Sequence, residues 1–295
     1  MSPVRNGRTG IASLLGRGSR KAPSSGRPSW RSEDRLIPNP IRRVLSSIEQ
    51  KRVRALLMGG QACVLYGAAE FSRDTALAIL ASPANLRRLQ AALDDLQARV
   101  IAVPPFEAKY LRRGHAVHFR CEDPEAQGMR IDVMTRMRGV APFPTLWQRR
   151  TSIELADGAR CEVMALPDLV QAKKTQRDKD WPMVRRLLEA HFFENRDHAT
   201  AAQVRFWLRE LRTPELLIET ARRWPRALVA QVRHRPLLRH ARPGRAALLA
   251  SSLSAEEATE RRAGARYWAP LRAELERLRL GRPRRPNDSR RYERR

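Results

Sequence analysis

Three short stretches hold the residues whose types and spacing could do chemistry. The first, "SRDTALAIL" at residues 72–80, carries Asp74 at the head of an apolar run. Read with a strand's period of two, Asp74, Ala76 and Ala78 share one face, and Thr75, Leu77 and Ile79 the other. The second, "RIDVM", sets Asp132 between two β-branched apolar residues, and the third is the pair Gly59-Gly60 that ends "RALLMGG". Two-metal phosphoryl transfer needs carboxylates that hold divalent ions about 3.5 to 4 Å apart, where both the attacking and the leaving oxygen are stabilised. An Asp-x-Asp on one strand with a third carboxylate from a neighbouring strand supplies this. Magnesium takes such sparse oxygen sites with substrate phosphates filling the remainder. Glycines ahead of a helix let backbone amides approach a triphosphate. The residue two beyond Asp74 is Ala76, so one expected carboxylate is a methyl group.

The elements that must position these residues follow from caps and periodicity. In "NPIRRVLSSIEQ", Asn39 and Pro40 start a helix whose Ile41, Val44, Leu45 and Ile48 fall on one face. "RALLM" reads as a strand running into the glycine pair, and "QACVLYG" as a short helix closed by Gly67. Ser82 and Pro83 cap a helix with the stripe Leu86, Leu89, Leu93 and Leu96. "HAVHFRC" and "MRIDVM" alternate across the polar "EDPEAQGM" and predict an antiparallel hairpin, with Asp132 on a strand face beside that of Asp74. His115 and His118, three apart, point to opposite faces of such a strand and make no metal pair. "CEVMAL" is a further strand, "PDLVQAKK" a helix, and "DWPMVRRLLEAHFF" another helix with Asp180 as its cap.

Beyond residue 196 the pattern is helical only. Thr213 with Pro214 opens one helix, a capping box of Ser254 and Glu257 opens another, and Trp268, Leu271, Leu275 and Leu278 lie on one face. Trp207, Trp224 and Trp268 fall in helical stripes and read as packing residues. The expected fold is α/β (α+β), a small mixed sheet with flanking helices followed by an all-helical C-terminal region. Its expected divisions are disordered basic tails at 1–35 and 281–295, a sheet domain at 36–195 and an Arg-rich helical domain at 196–280.

Composition narrows the function classes. The 295 residues carry 58 Lys and Arg against 31 Asp and Glu, a formal charge of +27 that suits nucleic acid or another acidic partner. Only six of the basic residues are Lys, and so lopsided an Arg excess is also what a GC-rich coding bias gives. The apolar runs stop short of the roughly 18 to 20 residues that a membrane helix needs, so no membrane partner is expected and a cytoplasmic location is. Cys63, Cys121 and Cys161 are odd in number and far apart, which argues against a zinc site or a disulfide framework.

The ordered set of Gly59-Gly60 after a strand, Tyr66-Gly67, Phe71 to Thr75 before a second strand, and Asp132 in "RIDVM" resembles the polymerase-beta-like nucleotidyltransferase superfamily. The resemblance is to its compact bacterial members similar to abortive-infection toxins, and "LPDLVQAKKTQRDKDWPMVRRLL" extends it to residues 36–195. It implies that Asp74 and Asp132 bind Mg²⁺ or Mn²⁺ as catalytic ligands, that Gly59 and Gly60 cradle the phosphates of an NTP, and that Lys173 or Lys174 neutralises them. It also implies a carboxylate where Ala76 stands. Losing about 3 to 5 kcal/mol of transition-state stabilisation there would slow transfer by roughly two to four powers of ten.

Three functions follow as expectations. One is a nucleotidyltransferase moving a nucleoside monophosphate from NTP to a hydroxyl on RNA, protein or another acidic acceptor, with an antitoxin protein as partner. Another is a pseudoenzyme of the same fold that binds nucleotide or RNA, and the third a basic RNA-binding protein without an active site. The same residues also have structural readings: a strand-edge Asp at 74, an ion pair of Asp132 with Arg130 or Arg120, a tight turn at the glycines and a solvated helix face at Lys173 and Lys174.

Overall fold

The structure, a computed structural model, describes residues 39–154 and 160–281. The tails expected at 1–35 and 281–295 lie outside the described residues apart from Gly281. Helix α1 (Asn39–Gln50) leads to strand β1 (Ala55–Met58), which runs without a loop into α2 (Gly59–Leu65). Then come β2 (Asp74–Ile79), α3 (Pro83–Asp95), the two-residue β3 (Arg99–Val100), α4 (Ala108–Arg113), and the hairpin of β4 (Val117–Arg120) and β5 (Arg130–Met134). Helix α5 (Phe143–Arg149), strands β6 (Thr151–Glu154) and β7 (Arg160–Val163), α6 (Leu166–Lys173) and α7 (Asp180–Asn195) complete this part. Helices α8 (Ala201–Glu210), α9 (Pro214–Arg223), α10 (Pro225–Val232) and the 35-residue α11 (Ala246–Leu280) follow.

The seven strands form one mixed sheet in the order β3-β4-β5-β2-β1-β7-β6. Strand β2 is central, antiparallel to β1 and parallel to β5, while β4 and β5 pair antiparallel. The mixed sheet with flanking helices and a helix-rich C-terminal region agrees with the fold expected from sequence. Alternation sets the two faces of the sheet. Val117, Phe119, Thr75, Leu77, Ile131 and Val133 are buried on one side, whereas His118, Asp74, Ala76, Arg130, Asp132 and Met134 are only half-buried on the other. Burying side chains of that size contributes roughly 1.5 to 3 kcal/mol each and fixes the register, since a one-residue slip would invert every face.

Local chemistry explains the helix starts. Ser82 accepts from the amide of Asn85 with Pro83 behind it, as expected. Asp180 does not cap α7: the preceding Lys179 is the cap residue and makes no side-chain cap bond. Ser254 and Glu257 form no capping box either, because both lie inside α11, where the Ser254 hydroxyl donates to the carbonyl of Ala250. Thr213 precedes α9 and turns its hydroxyl to Glu189 instead of to the helix amides. The strand β6 has no counterpart in the sequence reading.

Candidate functional site

Register brings the expected residues together. His118 of β4 lies opposite Asp132 of β5, Asp132 opposite Ala76 of β2, and Ala76 opposite Met58 of β1. One pleat away, Arg130 lies opposite Asp74. These residues, with Gly59, Gly60, Lys173 and Lys174, line one cleft of about 530 Å³, within the size range of small-ligand sites.

The two carboxylates differ in what surrounds them. Oδ1 of Asp132 accepts from Nε of Arg130 at 2.7 Å and lies 2.7 Å from Nδ1 of His118. The ion-pair reading of Asp132 thus holds for Arg130, and it holds inside the cleft. Burial alone would push Asp132 up; the hydrogen bonds and charges of His118 and Arg130 outweigh it and hold the carboxyl below the usual range. Asp74 is half-buried, and among the described residues no ion pair reaches its carboxylate. The Ser72 hydroxyl donates to the Asp74 carbonyl at 3.0 Å and steadies the strand's start. His115 is buried away from this row, with Nε2 2.8 Å from Oε2 of Glu274.

The glycine pair answers first to packing. Gly59 has φ +72°, and a Cβ there would stand 2.7 Å from the Ala76 methyl. A Cβ on Gly60 would meet the Ser72 hydroxyl at 2.6 Å. Both glycines therefore let α2 start hard against β2, and the tight-turn reading holds. The same closeness leaves the floor of the cleft as bare backbone beside Asp74.

Lys173 and Lys174 do not form a solvated face. Lys174 is 7% exposed, its Nζ 2.6 Å from Glu210 of α8, so its charge is committed away from a ligand. Lys173 lies at the cleft wall, 3.6 Å from Asp180. Asp180, 3% exposed, also accepts from Thr175 Oγ1 at 2.5 Å and from Arg177 Nε at 2.8 Å. The loop at 174–179 is thereby tied to the start of α7. Lys179 lines the cleft, is exposed, and has no ion pair among the described residues. Sequence reasoning did not select His118, Arg130, Arg177, Lys179 or Asp180 for the site. Counting the hairpin register across from Asp132 would have found His118, and the strand's period of two Arg130.

Each carboxylate keeps an oxygen that could meet a cation: Asp74 makes no ion pair among the described residues, and Oδ2 of Asp132 is not used by Arg130 or His118. They do not fit a bridged pair of ions: position 76, beside Asp132 in the row and two residues from Asp74 on the same face of β2, is a methyl, and among the described residues no group of three acidic, His or Cys side chains is placed to hold a metal. No protein-family model matches the chain. No curated protein matches it at a significant level. Among the described residues no helix is long and apolar enough to cross a membrane.

Proposed function

We propose that this chain is a nucleotidyltransferase-like protein whose cleft binds a nucleoside triphosphate; an acceptor hydroxyl attacks the α-phosphorus, the α–β anhydride bond breaks, pyrophosphate leaves and the hydroxyl proton passes to solvent, a transfer slowed by the Ala76 methyl. The observation that carries this reading is the convergence of Asp74, Asp132, Gly59, Gly60 and Lys173, spread over more than 100 residues of sequence, on one cleft. Its lining holds six Lys and Arg against three Asp, which favours a polyanion. Lys179, Lys173 and Arg177 supply positive charge for the phosphates, and Lys179 does so without giving up a partner. A divalent ion at Asp74 and Asp132 would neutralise the phosphates and stabilise charge on the transferred group. The acceptor is proposed as RNA or another acidic macromolecule on the strength of the chain's charge.

A nucleotide-binding protein without turnover is the second reading, favoured by the prior engagement of Asp132 with Arg130 and His118. Label transfer from each NTP to total RNA or to protein, with Mg²⁺ or Mn²⁺, tests both beside Ala76→Asp. The expected outcome is slow transfer by the native chain and a gain of about two to four powers of ten on restoring the carboxylate. Nucleotide binding with no transfer by either protein would establish the second reading. No binding of Mg-NTP by either would remove both.

A further inference from the structure

The six tryptophans of the chain are not equivalent. Trp30 lies outside the described residues. Trp207 is fully buried, edge-on to Phe192 and tilted against Trp224; Trp181 is buried beneath the guanidinium of Arg212. Trp147 carries Arg54 and Arg150 over its ring, and Trp224 carries Arg223. Trp147 and Trp224 also rest on the hydrophobic core. Trp268 does none of this. It is half-buried, is not packed on the core, and has no cation over its ring among the described residues. Its ring contact is the perpendicular one with the adjacent Tyr267, centroids 5.1 Å apart. It lines the cleft.

Trp268 is held there by contacts on both sides along α11. N-terminal to it, a Cβ on Gly264 would lie 3.0 Å from the backbone nitrogen of Gln176, so the helix rests directly on the loop at 175–176. C-terminal to it, Leu271 reaches Gly114, and Glu274 pairs with His115 and Arg113. Trp268 thus lines the cleft from a stretch of helix anchored on both sides. On the sheet side the cleft offers Ala116 and Met134, one pleat beyond the His118–Asp132 row, while the basic Lys173, Arg177 and Lys179 lie on the loop side. One cleft thus offers an aromatic ring, apolar side chains, bare glycine backbone and basic side chains, the set that a nucleotide needs for its base and its phosphates.

We propose that Trp268 is the base-stacking platform of this cleft, a binding residue for the nucleobase of a nucleoside triphosphate; the inference rests on the nucleotide reading above. A single ring face stacks on any base, so the platform raises affinity for purine and pyrimidine nucleotides alike and is not a device for base selection. The packing expectation for this residue is replaced, whereas it stands for Trp207 and Trp224.

Calorimetric titration of the full chain with ATP, UTP and inorganic tripolyphosphate separates base from phosphate. The native protein is expected to bind both nucleotides about tenfold tighter than tripolyphosphate. Trp268→Leu should abolish that margin and leave tripolyphosphate unchanged, and Trp268→Phe should keep most of it. Unchanged tripolyphosphate binding also certifies that the Leu variant is folded. Tripolyphosphate binding with the same nucleotide margin in Trp268→Leu would overturn the platform and leave the cleft as a phosphate site. Failure of all three ligands to bind the native chain would overturn the nucleotide reading itself, and the platform with it.

Discussion

At Gly59 the backbone takes a left-handed turn beside the Ala76 methyl, and both facts penalise a side chain. Gly59→Ala is expected to lower stability by about 1 to 3 kcal/mol, from the positive φ and the clash together. Chemical denaturation of Gly59→Ala with and without Ala76→Gly should show partial recovery, because the second change removes the clash and not the strain. Full recovery would mean that φ costs nothing here. Burial pushes the thiols of Cys63 and Cys121 up to about 11 and that of Cys161 up to about 12. All three are free and buried, so maleimide labelling at mildly alkaline pH should fail on the folded chain and go to completion in denaturant. Residue types alone disclosed Asp74, Asp132, the absent carboxylate at 76 and, two positions before Asp132 on its own strand, Arg130 as an ion-pair partner. They did not disclose that His118 also holds Asp132, because that depends on which residues lie opposite across the β4–β5 pairing.

Among the elements, α11 depends on a buried charge cluster. Glu256 accepts from Arg235 at 2.8 Å and from Arg212 at 2.7 Å, and Arg235 also donates to the carbonyls of Leu208 and Leu211. Glu256→Gln leaves two guanidiniums, each under a tenth exposed, short of a counter-charge, and should lower stability by about 3 kcal/mol by thermal or urea unfolding. Burial would raise the Glu256 pKa; the hydrogen bond from Arg235 and the charges of Arg235, Arg212 and Lys174 outweigh it and hold the carboxyl below its usual range. A depressed carboxyl stabilises fully above the unfolded value near about 4.3 and loses that contribution as pH falls through the folded one. The Gln variant should therefore lack part of the native chain's acid-side decline in stability. Apolar stripes and Pro-led caps made most helices legible. Strand β6 was not, because three of its four residues are exposed and show no alternation. The Ser-x-x-Glu pattern at 254–257 misled because a serine inside a helix can bond four residues back and need not end anything.

For the whole molecule, the charge of +27 is less free than the composition suggests. Arg113, Arg138, Arg212, Arg235 and Arg261 are spent on pinning α11 to the rest of the chain or to itself through Glu274, Glu260, Glu256 and Glu257. The unpaired remainder still predicts sequence-independent RNA binding, with affinity falling steeply between about 50 and about 200 mM salt in anisotropy measurements. A flat salt response with strong sequence preference would instead mean readout by hydrogen bonds. Deleting everything beyond residue 200 is a poor test of that charge, since it also takes Trp268 from the cleft and Glu210 from Lys174. Helix α11 meets the loop at 175–176 backbone to backbone, one turn before Trp268. The two backbones meet where Gly264 has only a hydrogen, so an alanine there would force the helix or the loop to give by a few tenths of an ångström. A displacement of that size would carry Trp268 with the helix and so test its placement, with every cleft-lining side chain unaltered.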